Sequence, residues 1–218
     1  GMDPFLNKIY KVDCHSSQVA DNYEELEGRE ISCAGRIIAK RIMGKASFCH
    51  IQDREGKVQL YVRRDILGEE PYTFFKKMDI GDIIGVKGEV LTTNMGEKSI
   101  KAHGITLLAK SMQPLPEKWH GLKDPDLRYR HRYTDLIVNP DVINTFVTRS
   151  KIMAAMREFM NGRGFMEVET PVLHNHTTNA AARPFRTHHN TLDIDMFLRV
   201  ELELHLKRLI VGGLENVY

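Results

Sequence analysis

Residues 162–173 read GRGFMEVETPVL, and after a polar loop residues 180–211 read AAARPFRTHHNTLDIDMFLRVELELHLKRLIV. This stretch decides the fold of the second half of the chain. Gly162 and Gly164 predict the end of a helix, because glycine adopts the conformation that ends helices without a steric penalty. Residues 166–169 predict a short strand. Pro171 should then lie where the chain leaves the sheet or meets a partner, since proline cannot donate to a sheet ladder.

A second strand is predicted at residues 192–199, where apolar and polar residues alternate. The two sides consist of Leu192, Ile194, Met196 and Leu198, and of Asp193, Asp195, Phe197 and Arg199. Alternation with a period of two over this length indicates a half-buried strand.

A long helix is predicted immediately before this stretch. Asn139 is a favourable N-cap and Pro140 suits the first helical position. Apolar residues then recur near helical spacing at Val142, Phe146, Ile152, Met153, Met156, Phe159 and Met160. This spacing predicts one apolar face, which belongs either to the core or to a dimer interface; the methionines alone do not distinguish the two.

The first half of the chain has a strand-rich pattern. Residues 1–28 form a polar lead-in, in which Asp21 or Asn22 predicts the cap of a short helix that Gly28 ends. Residues 29–110 contain strand patterns at 30–40, 46–52, 57–63, 82–91 and 98–110, with a helix at 71–78. Three strands, a helix and two strands is the order of an OB-fold barrel. Another small all-β domain is the alternative.

Residues 111–138 have the composition of a linker, with Pro114, Pro116, Trp119 and Gly121. Near its end, residues 128–133 read RYRHRY. This mixture of basic and aromatic side chains indicates either a contact with RNA or a domain boundary at which the rings are buried. Residues 139–218 then form the second domain.

The composition is that of a globular protein: 42% of the 218 residues are hydrophobic and 28% are charged. The net charge of +2 does not by itself indicate nucleic-acid binding, so any basic surface must be local. The three cysteines form no Cys-x-x-Cys pair, which predicts reduced thiols. No stretch approaches the roughly 20 apolar residues of a membrane helix. We therefore expect a cytoplasmic location and no membrane partner.

The predicted barrel carries the residue types of a nucleic-acid interface. OB barrels bind single strands through aromatic side chains on the second and third strands and through positive charge. Phe48 falls on the second strand and Gln59 on the third. Positive charge at the first hairpin comes from Arg36, Lys40, Arg41 and Lys45. Phe48 can stack on a base, Gln59 can hydrogen-bond a uracil edge, and Arg41 can hold a phosphate or a base. Alternatively, Phe48 belongs to the core and Gln59 is merely exposed.

Two other kinds of site are not supported by the sequence. Gly44 and Lys45 do not form a phosphate-binding loop, because Ala39 stands where that motif needs its first glycine and Ala46 where it needs Ser or Thr. Four histidines lie close together in the second half, at His174, His176, His188 and His189. No acid or cysteine is spaced to complete a tetrahedral zinc site with them, so no metal is predicted.

The second half resembles a class II aminoacyl-tRNA synthetase, and within that class the lysyl-tRNA synthetases. Arg163-Gly164-Phe165 with Pro171 resembles the first signature motif of the class. Residues 180–199, followed by Leu206-Lys207-Arg208, resemble the lysine enzymes more closely than their aspartate or asparagine relatives. The implied fold class is β plus α+β: a five-stranded OB-fold barrel, then a truncated synthetase catalytic domain with helices flanking an antiparallel sheet.

The resemblance implies roles for particular residues. Arg41, Phe48 and Gln59 fall where the family contacts the tRNA anticodon. Gly164, Phe165 and Pro171 belong to the motif through which these enzymes form homodimers.

Glu203 corresponds to the family's acid for the substrate ammonium, and a buried charge of that kind needs a partner. The residues around it depart from the family pattern at Glu201, at His205 and at the pair Thr178-Asn179, where glycines are usual. A solvated helix residue is therefore the alternative for Glu203.

The family ligates lysine to its tRNA with ATP and magnesium, through a lysyl-adenylate. Its second and third motifs carry the arginines that bind ATP, and neither motif occurs in these 218 residues. The resemblance thus implies a chain truncated before the second motif. We expect tRNA binding without lysine activation, and no cofactor held by this chain. The alternatives are a fragment of an active ligase and a non-catalytic dimerising or interaction paralogue.

Overall fold

The computed structural model describes residues 9–116, 122–177 and 181–218. The chain divides into two units, Gly1–Thr134 and Asp135–Tyr218.

Five strands of the first unit form a closed barrel in the order β1-β2-β3-β5-β4. They are β1 (Glu30–Met43), β2 (Ala46–Gln52), β3 (Lys57–Arg63), β4 (Ile83–Thr92) and β5 (Lys98–Ala109). Neighbouring strands are antiparallel except for β3 and β5, which pair in parallel. This architecture confirms the predicted OB fold.

Short helices precede and interrupt the barrel. They are α1 (Ser16–Asp21) and α2 (Tyr23–Leu26) before β1, and α3 (Arg64–Leu67) and α4 (Glu69–Lys77) between β3 and β4. The sequence predicted α2, with Asn22 at its N-cap, but not α1. Helix α4 begins before the predicted position, because Pro71 fits in the first turn, where its missing N–H is not needed.

The barrel core follows from alternation along the strands. In β2, buried Ser47, Cys49 and Ile51 alternate with partly exposed residues. Cys33 and Cys49 are fully buried, and burial raises the pKa of each thiol to about 12. Both are free thiols, and such buried, protonated sulfurs behave as small apolar groups.

Asp53 joins the lead-in to the barrel. Its carboxylate, in the turn between β2 and β3, accepts hydrogen bonds from the backbone N–H and the hydroxyl of Ser16 at 2.8 and 2.6 Å. It also accepts from the backbone N–H groups of Glu55 and Gly56. Burial acts to raise the pKa of Asp53, but these hydrogen bonds outweigh it and hold the pKa below its ordinary value of 3.8.

We therefore expect α1 to detach from the barrel in acid. A carboxylate with a depressed pKa stabilises the folded state above its ordinary pKa, and this contribution is lost as the pH falls through the lower folded pKa. Amide hydrogen exchange at Ser16 and Gly56 should accelerate between about pH 4 and pH 2 beyond the intrinsic rate. In the Asp53→Asn variant, α1 should already be held less firmly at pH 7, and the acceleration of exchange in acid should be absent. An identical acid response in the variant would contradict the assignment.

The predicted linker contains two short helices, α5 (Pro125–Arg130) and α6 (Arg132–Val138). Trp119 and Gly121 lie outside the described residues. The RYRHRY sequence lies on these helices, and the side chains of Tyr129 and Tyr133 are 74% and 64% exposed. The guanidinium of Arg132 lies 5.1 Å from the centre of the Tyr129 ring. Neither tyrosine is buried within the described part of the chain, which does not support the buried-ring alternative.

The second unit contains one long helix and a small sheet. Its elements are α7 (Pro140–Gly162), β6 (Leu173–His174), β7 (Arg186–His189), β8 (Ile194–Leu198) and α8 (Glu203–Val211). The strands are antiparallel in the order β6-β8-β7. The predicted start of α7 at Asn139 and Pro140 and its predicted end near Gly164, which has φ +81°, are both found.

Two strand predictions in this unit need correction. Residues 166–169 form no strand; Met166 makes only an isolated parallel bridge to Val217. The other strand is shorter than predicted, because Asp193 has φ 50° and forms part of the turn that precedes Ile194. Ile194 and Leu198 are exposed, so the predicted half-burial is not found either.

The apolar side of α7 is also exposed. No residue of α7 is buried, and Ile152, Met156 and Phe159 are each more than half exposed. Among the described residues after 134, Val217 is the one buried apolar side chain. This helix therefore forms no core face with the part of the chain described, and the dimer interface stays a prediction.

Within the residues that the model describes, no helix combines the length and the apolar character needed to cross a membrane.

Candidate nucleic-acid interface

The outer faces of β2 and β3 bring the predicted interface residues together. Phe48 and His50 alternate with buried residues along β2, and Gln59 and Tyr61 lie on the outer side of β3. The antiparallel register sets Phe48 opposite Tyr61 and His50 opposite Gln59. Because alternate residues of a strand share a face, these four side chains form one continuous patch.

The aromatic part of the patch is a stacked pair. The rings of Phe48 and Tyr61 have centroids 5.2 Å apart and planes inclined by 18°. Both side chains are partly exposed, so Phe48 does not belong to the barrel core. A pair of parallel rings at the surface is suited to stacking with a nucleic-acid base.

The polar part of the patch is a hydrogen-bonded network. The Gln59 amide nitrogen donates to Oε2 of Glu97 at 2.5 Å, and the Ser99 hydroxyl donates to Oε1 of Gln59 at 2.8 Å. His50 Nε2 lies 2.9 Å from Oε1 of Glu97. Gln59 and Ser99 are buried, whereas the Glu97 and His50 side chains are 49% and 35% exposed. The network thus reaches from the barrel wall to solvent.

Two of the four cations predicted for this site donate to backbone carbonyls. Arg41 is exposed and lies opposite Phe48 in the register of β1 and β2. The Arg36 guanidinium instead donates to the Gly81 carbonyl at 2.8 Å, and the Lys40 ammonium donates to the Met78 carbonyl. Burial lowers the pKa of both Arg36 and Lys40. Of the four predicted cations, the two that are exposed are Arg41 and Lys45.

Together these residues line an open cleft of about 920 Å³. Its walls include Arg41, Phe48, Gln59 and Tyr61, and the loop between β4 and β5 contributes Met95. A cleft of this size lies within the range of small-molecule pockets and can accept at least one nucleotide. All three predicted anticodon residues line it.

Sequence reasoning missed several residues of this cleft, among them His50, Tyr61 and Glu97. His50 and Tyr61 could have been found, because each lies two positions from a predicted residue on the same strand. Glu97 could not, because it meets Gln59 only after β5 pairs in parallel with β3.

The second unit has a separate cleft of about 750 Å³, whose lining includes Glu203 and His205. The Glu203 side chain is 63% exposed and pairs with Lys207 one helical turn away. The Lys207 hydrogen bond lowers the pKa of Glu203. Within the described residues Glu203 is therefore an exposed helix residue, and its role as the acid for the substrate ammonium stays a prediction. Thr178, Asn179 and Ala180 lie outside the described residues.

His174 and His205 meet in this second cleft, with their Nε2 atoms 3.1 Å apart. Burial, followed by the charge of His174, lowers the pKa of His205. His188 instead lies near Asp193 and Asp195, at 3.2 and 3.5 Å. Among the described residues, no group of three or more His, Cys, Asp or Glu side chains is arranged to hold a metal ion.

The motif-like residues lie at the end of α7 and after it. The backbone N–H of Phe165 donates to the Met160 carbonyl at 3.1 Å and closes the helix end. Pro171 is exposed and precedes β6. The part of Gly164, Phe165 and Pro171 in a dimer stays a prediction.

Two family models match the chain. The one described as "OB-fold nucleic acid binding domain" matches residues 31–108. The one described as "tRNA synthetases class II (D, K and N)" matches residues 124–218. The first covers most of the barrel and includes every residue of the cleft named above.

Individual relatives resemble the whole chain. A lysine–tRNA ligase of Thermoanaerobacter pseudethanolicus is 59% identical over 100% of this chain, which covers 44% of the relative. Those of Moorella thermoacetica and Lactococcus lactis are 56% and 55% identical, again over 100% of this chain and over 44% and 45% of their own lengths. The chain therefore spans less than half the length of these curated relatives.

Proposed function

The chain belongs to the lysyl-tRNA synthetases within the class II tRNA synthetases (D, K and N), and on this premise we propose that its barrel binds the anticodon loop of a lysine tRNA. The cleft on the outer faces of β2 and β3 is the binding surface.

One observation carries this proposal: the stacked rings of Phe48 and Tyr61 lie beside a polar network in a domain that matches a nucleic-acid-binding family. The rings give a sequence-tolerant surface for a base, and Gln59 and Glu97 offer hydrogen bonds to its edge. Arg41 stands on the neighbouring strand, where it can hold a phosphate.

A binding measurement tests the proposal directly. Fluorescence anisotropy should give tighter binding to an anticodon stem-loop carrying UUU than to the same stem-loop carrying unrelated bases. The salt concentration must be fixed, since phosphate contacts make affinity depend strongly on salt. Equal affinity for the two loops would contradict anticodon recognition.

The Phe48→Ala variant should bind the UUU loop about 5- to 150-fold more weakly, because a stacked base contributes ~1–3 kcal/mol. Phe185→Ala is the matched control, since Phe185 is 80% exposed and lies outside the cleft. We expect the control to bind like the unaltered chain. Unchanged affinity in Phe48→Ala would remove Phe48 from the interface.

The activity of the whole protein is a second part of the proposal. The relatives are named lysine–tRNA ligases, and ligation of lysine to tRNA with ATP and magnesium in the cytoplasm is the function that we infer by extension. Glu203 corresponds to the family's acid for the substrate ammonium, not to a residue that binds ATP or magnesium, and in the described residues it is exposed and paired with Lys207. We therefore assign this chain the tRNA-binding role and derive no catalytic step from it.

The third part of the proposal is that the chain forms a homodimer through the region of Gly164, Phe165 and Pro171. It is supported by the exposed apolar side chains of α7, among them Ile152, Met156 and Phe159. Exposed apolar surfaces of this kind often mark an interface. A monomer at all concentrations in sedimentation velocity would contradict it.

A further inference from the structure

The two oxygens of the Glu97 carboxylate are held by different residues. His50 Nε2 lies 2.9 Å from Oε1, and Gln59 Nε2 donates to Oε2 at 2.5 Å. A carboxylate only accepts hydrogen bonds, so Nε2 of His50 must carry the proton of this contact. The carboxylate is therefore fixed from both sides, while each oxygen keeps a lone pair for another donor.

The orientation of the Gln59 amide is fixed as well. The buried Ser99 hydroxyl lies 2.8 Å from Gln59 Oε1, and it also lies 3.1 Å from the Glu97 backbone oxygen. Reversing the amide would turn its oxygen toward the carboxylate, which is repulsive. Gln59 Nε2 therefore faces Glu97 and retains a second N–H. The wall of the cleft thus presents a donor from Gln59 next to an acceptor from Glu97.

We propose that His50 is a positioning residue, which holds the Glu97 carboxylate so that the cleft selects uracil over cytosine. This inference rests on the proposed anticodon-binding function. Uracil presents a carbonyl oxygen next to an N–H on its pairing edge, which matches the donor and the acceptor of the wall. Cytosine, stacked in the same place, presents an amino group and an unprotonated nitrogen. The free N–H of Gln59 would then face the amino group of cytosine, which is also a donor. The lone pair of the unprotonated nitrogen would face the Glu97 carboxylate, which is also an acceptor.

Positioning is needed because Glu97 lies near the tip of the hairpin between β4 and β5 and is about half exposed. Held by Gln59 alone, its carboxylate could rotate and accept from the amino group of cytosine. The contact with His50 removes this freedom. We therefore expect His50 to affect the choice between the bases more than the overall affinity.

The test measures the ratio of dissociation constants for stem-loops that carry UUU or a single cytidine at each anticodon position. At fixed salt, the unaltered chain should prefer uridine at one position or more. His50→Ala should lower that preference by about fivefold or more, the effect of one lost hydrogen bond. His50→Gln should restore much of it, because its amide nitrogen also donates from the ε position.

His103→Ala is the matched control. His103 is also a partly exposed histidine that contacts a glutamate, with Nδ1 3.2 Å from Glu30, but it does not line the cleft. The His103→Ala variant should leave the preference for uridine unchanged. A full uridine preference in His50→Ala would overturn the inference and leave the proposed function standing. No uridine preference in the unaltered chain would overturn both.

Discussion

Replacing Asp82 by alanine should lower the free energy of unfolding of the barrel by about 3 kcal/mol. The Asp82 side chain is fully buried. Its carboxylate accepts from the backbone N–H groups of Asp79 and Ser111, both at 2.8 Å, and from the Lys110 ammonium at 2.9 Å. Alanine would leave the two backbone donors without their acceptor in a place that water does not readily reach, and Lys110 would keep only its contact with the exposed Asp79.

The position of Asp82 explains why the whole barrel should respond. Asp82 immediately precedes β4, and Lys110 and Ser111 immediately follow β5, so the carboxylate joins the ends of two neighbouring strands. The Asp82 carbonyl also accepts from the Ile37 backbone N–H in β1 at 2.8 Å. Losing the carboxylate therefore weakens the point at which three strands meet.

Asp79→Ala is the matched control for this variant. Asp79 contacts the same Lys110 ammonium, but its side chain is 68% exposed, and exposed ion pairs contribute little. Urea unfolding should be followed by NMR signals of β4 and β5, because a chain of two units need not unfold in one step. Equal losses in the two variants would contradict the role assigned to burial.

The Gly88→Ala variant should also lose about 3 kcal/mol of stability. A Cβ atom at residue 88 would lie 2.2 Å from the Lys101 carbonyl oxygen and 3.0 Å from Cγ2 of Ile100. The first contact is with backbone in the neighbouring strand β5, which cannot move away without breaking the ladder. The register of β4 and β5 also shifts between Lys87 and Gly88.

Gly104→Ala provides the comparison. Gly104 lies opposite Lys87 in the same ladder, but a Cβ atom there would meet nothing within 4 Å. Its stability should change by no more than about 0.5 kcal/mol. The same urea titration serves both variants. A loss in Gly104→Ala as large as that in Gly88→Ala would mean that general strand propensity, and not steric contact, sets the effect.

Much of the barrel could be predicted from the sequence. The bounds of β2 and β3 agree with those expected from alternation, because one side of each strand faces a core that only apolar or small side chains can fill. The sequence also placed Phe48 on the second strand and Gln59 on the third. The bounds of α7 also followed from local signals, since the helix begins at Asn139 and Pro140 and ends at glycines, although the Asn139 side chain makes no capping hydrogen bond.

Predictions failed where the outcome depends on distant partners. Residues 166–169 have a strand-like pattern, but a strand needs a neighbour, and Met166 finds only a bridge to Val217. Lys40 lines the cleft as expected, but its ammonium also binds the Met78 carbonyl after α4, a partner that sequence periodicity does not reveal.

The sequence by itself determined the type of barrel, the family, and the aromatic and amide residues of the cleft, because these depend on local patterns and motif order. Only the tertiary structure decided that Glu97, held by His50 and Gln59, completes the cleft. Residues 59 and 97 are separated by 38 positions, and their side chains meet because β3 and β5 pair in parallel as the barrel closes. A hydrogen bond requires its atoms within about 3 Å, and the register of distant strands sets that distance.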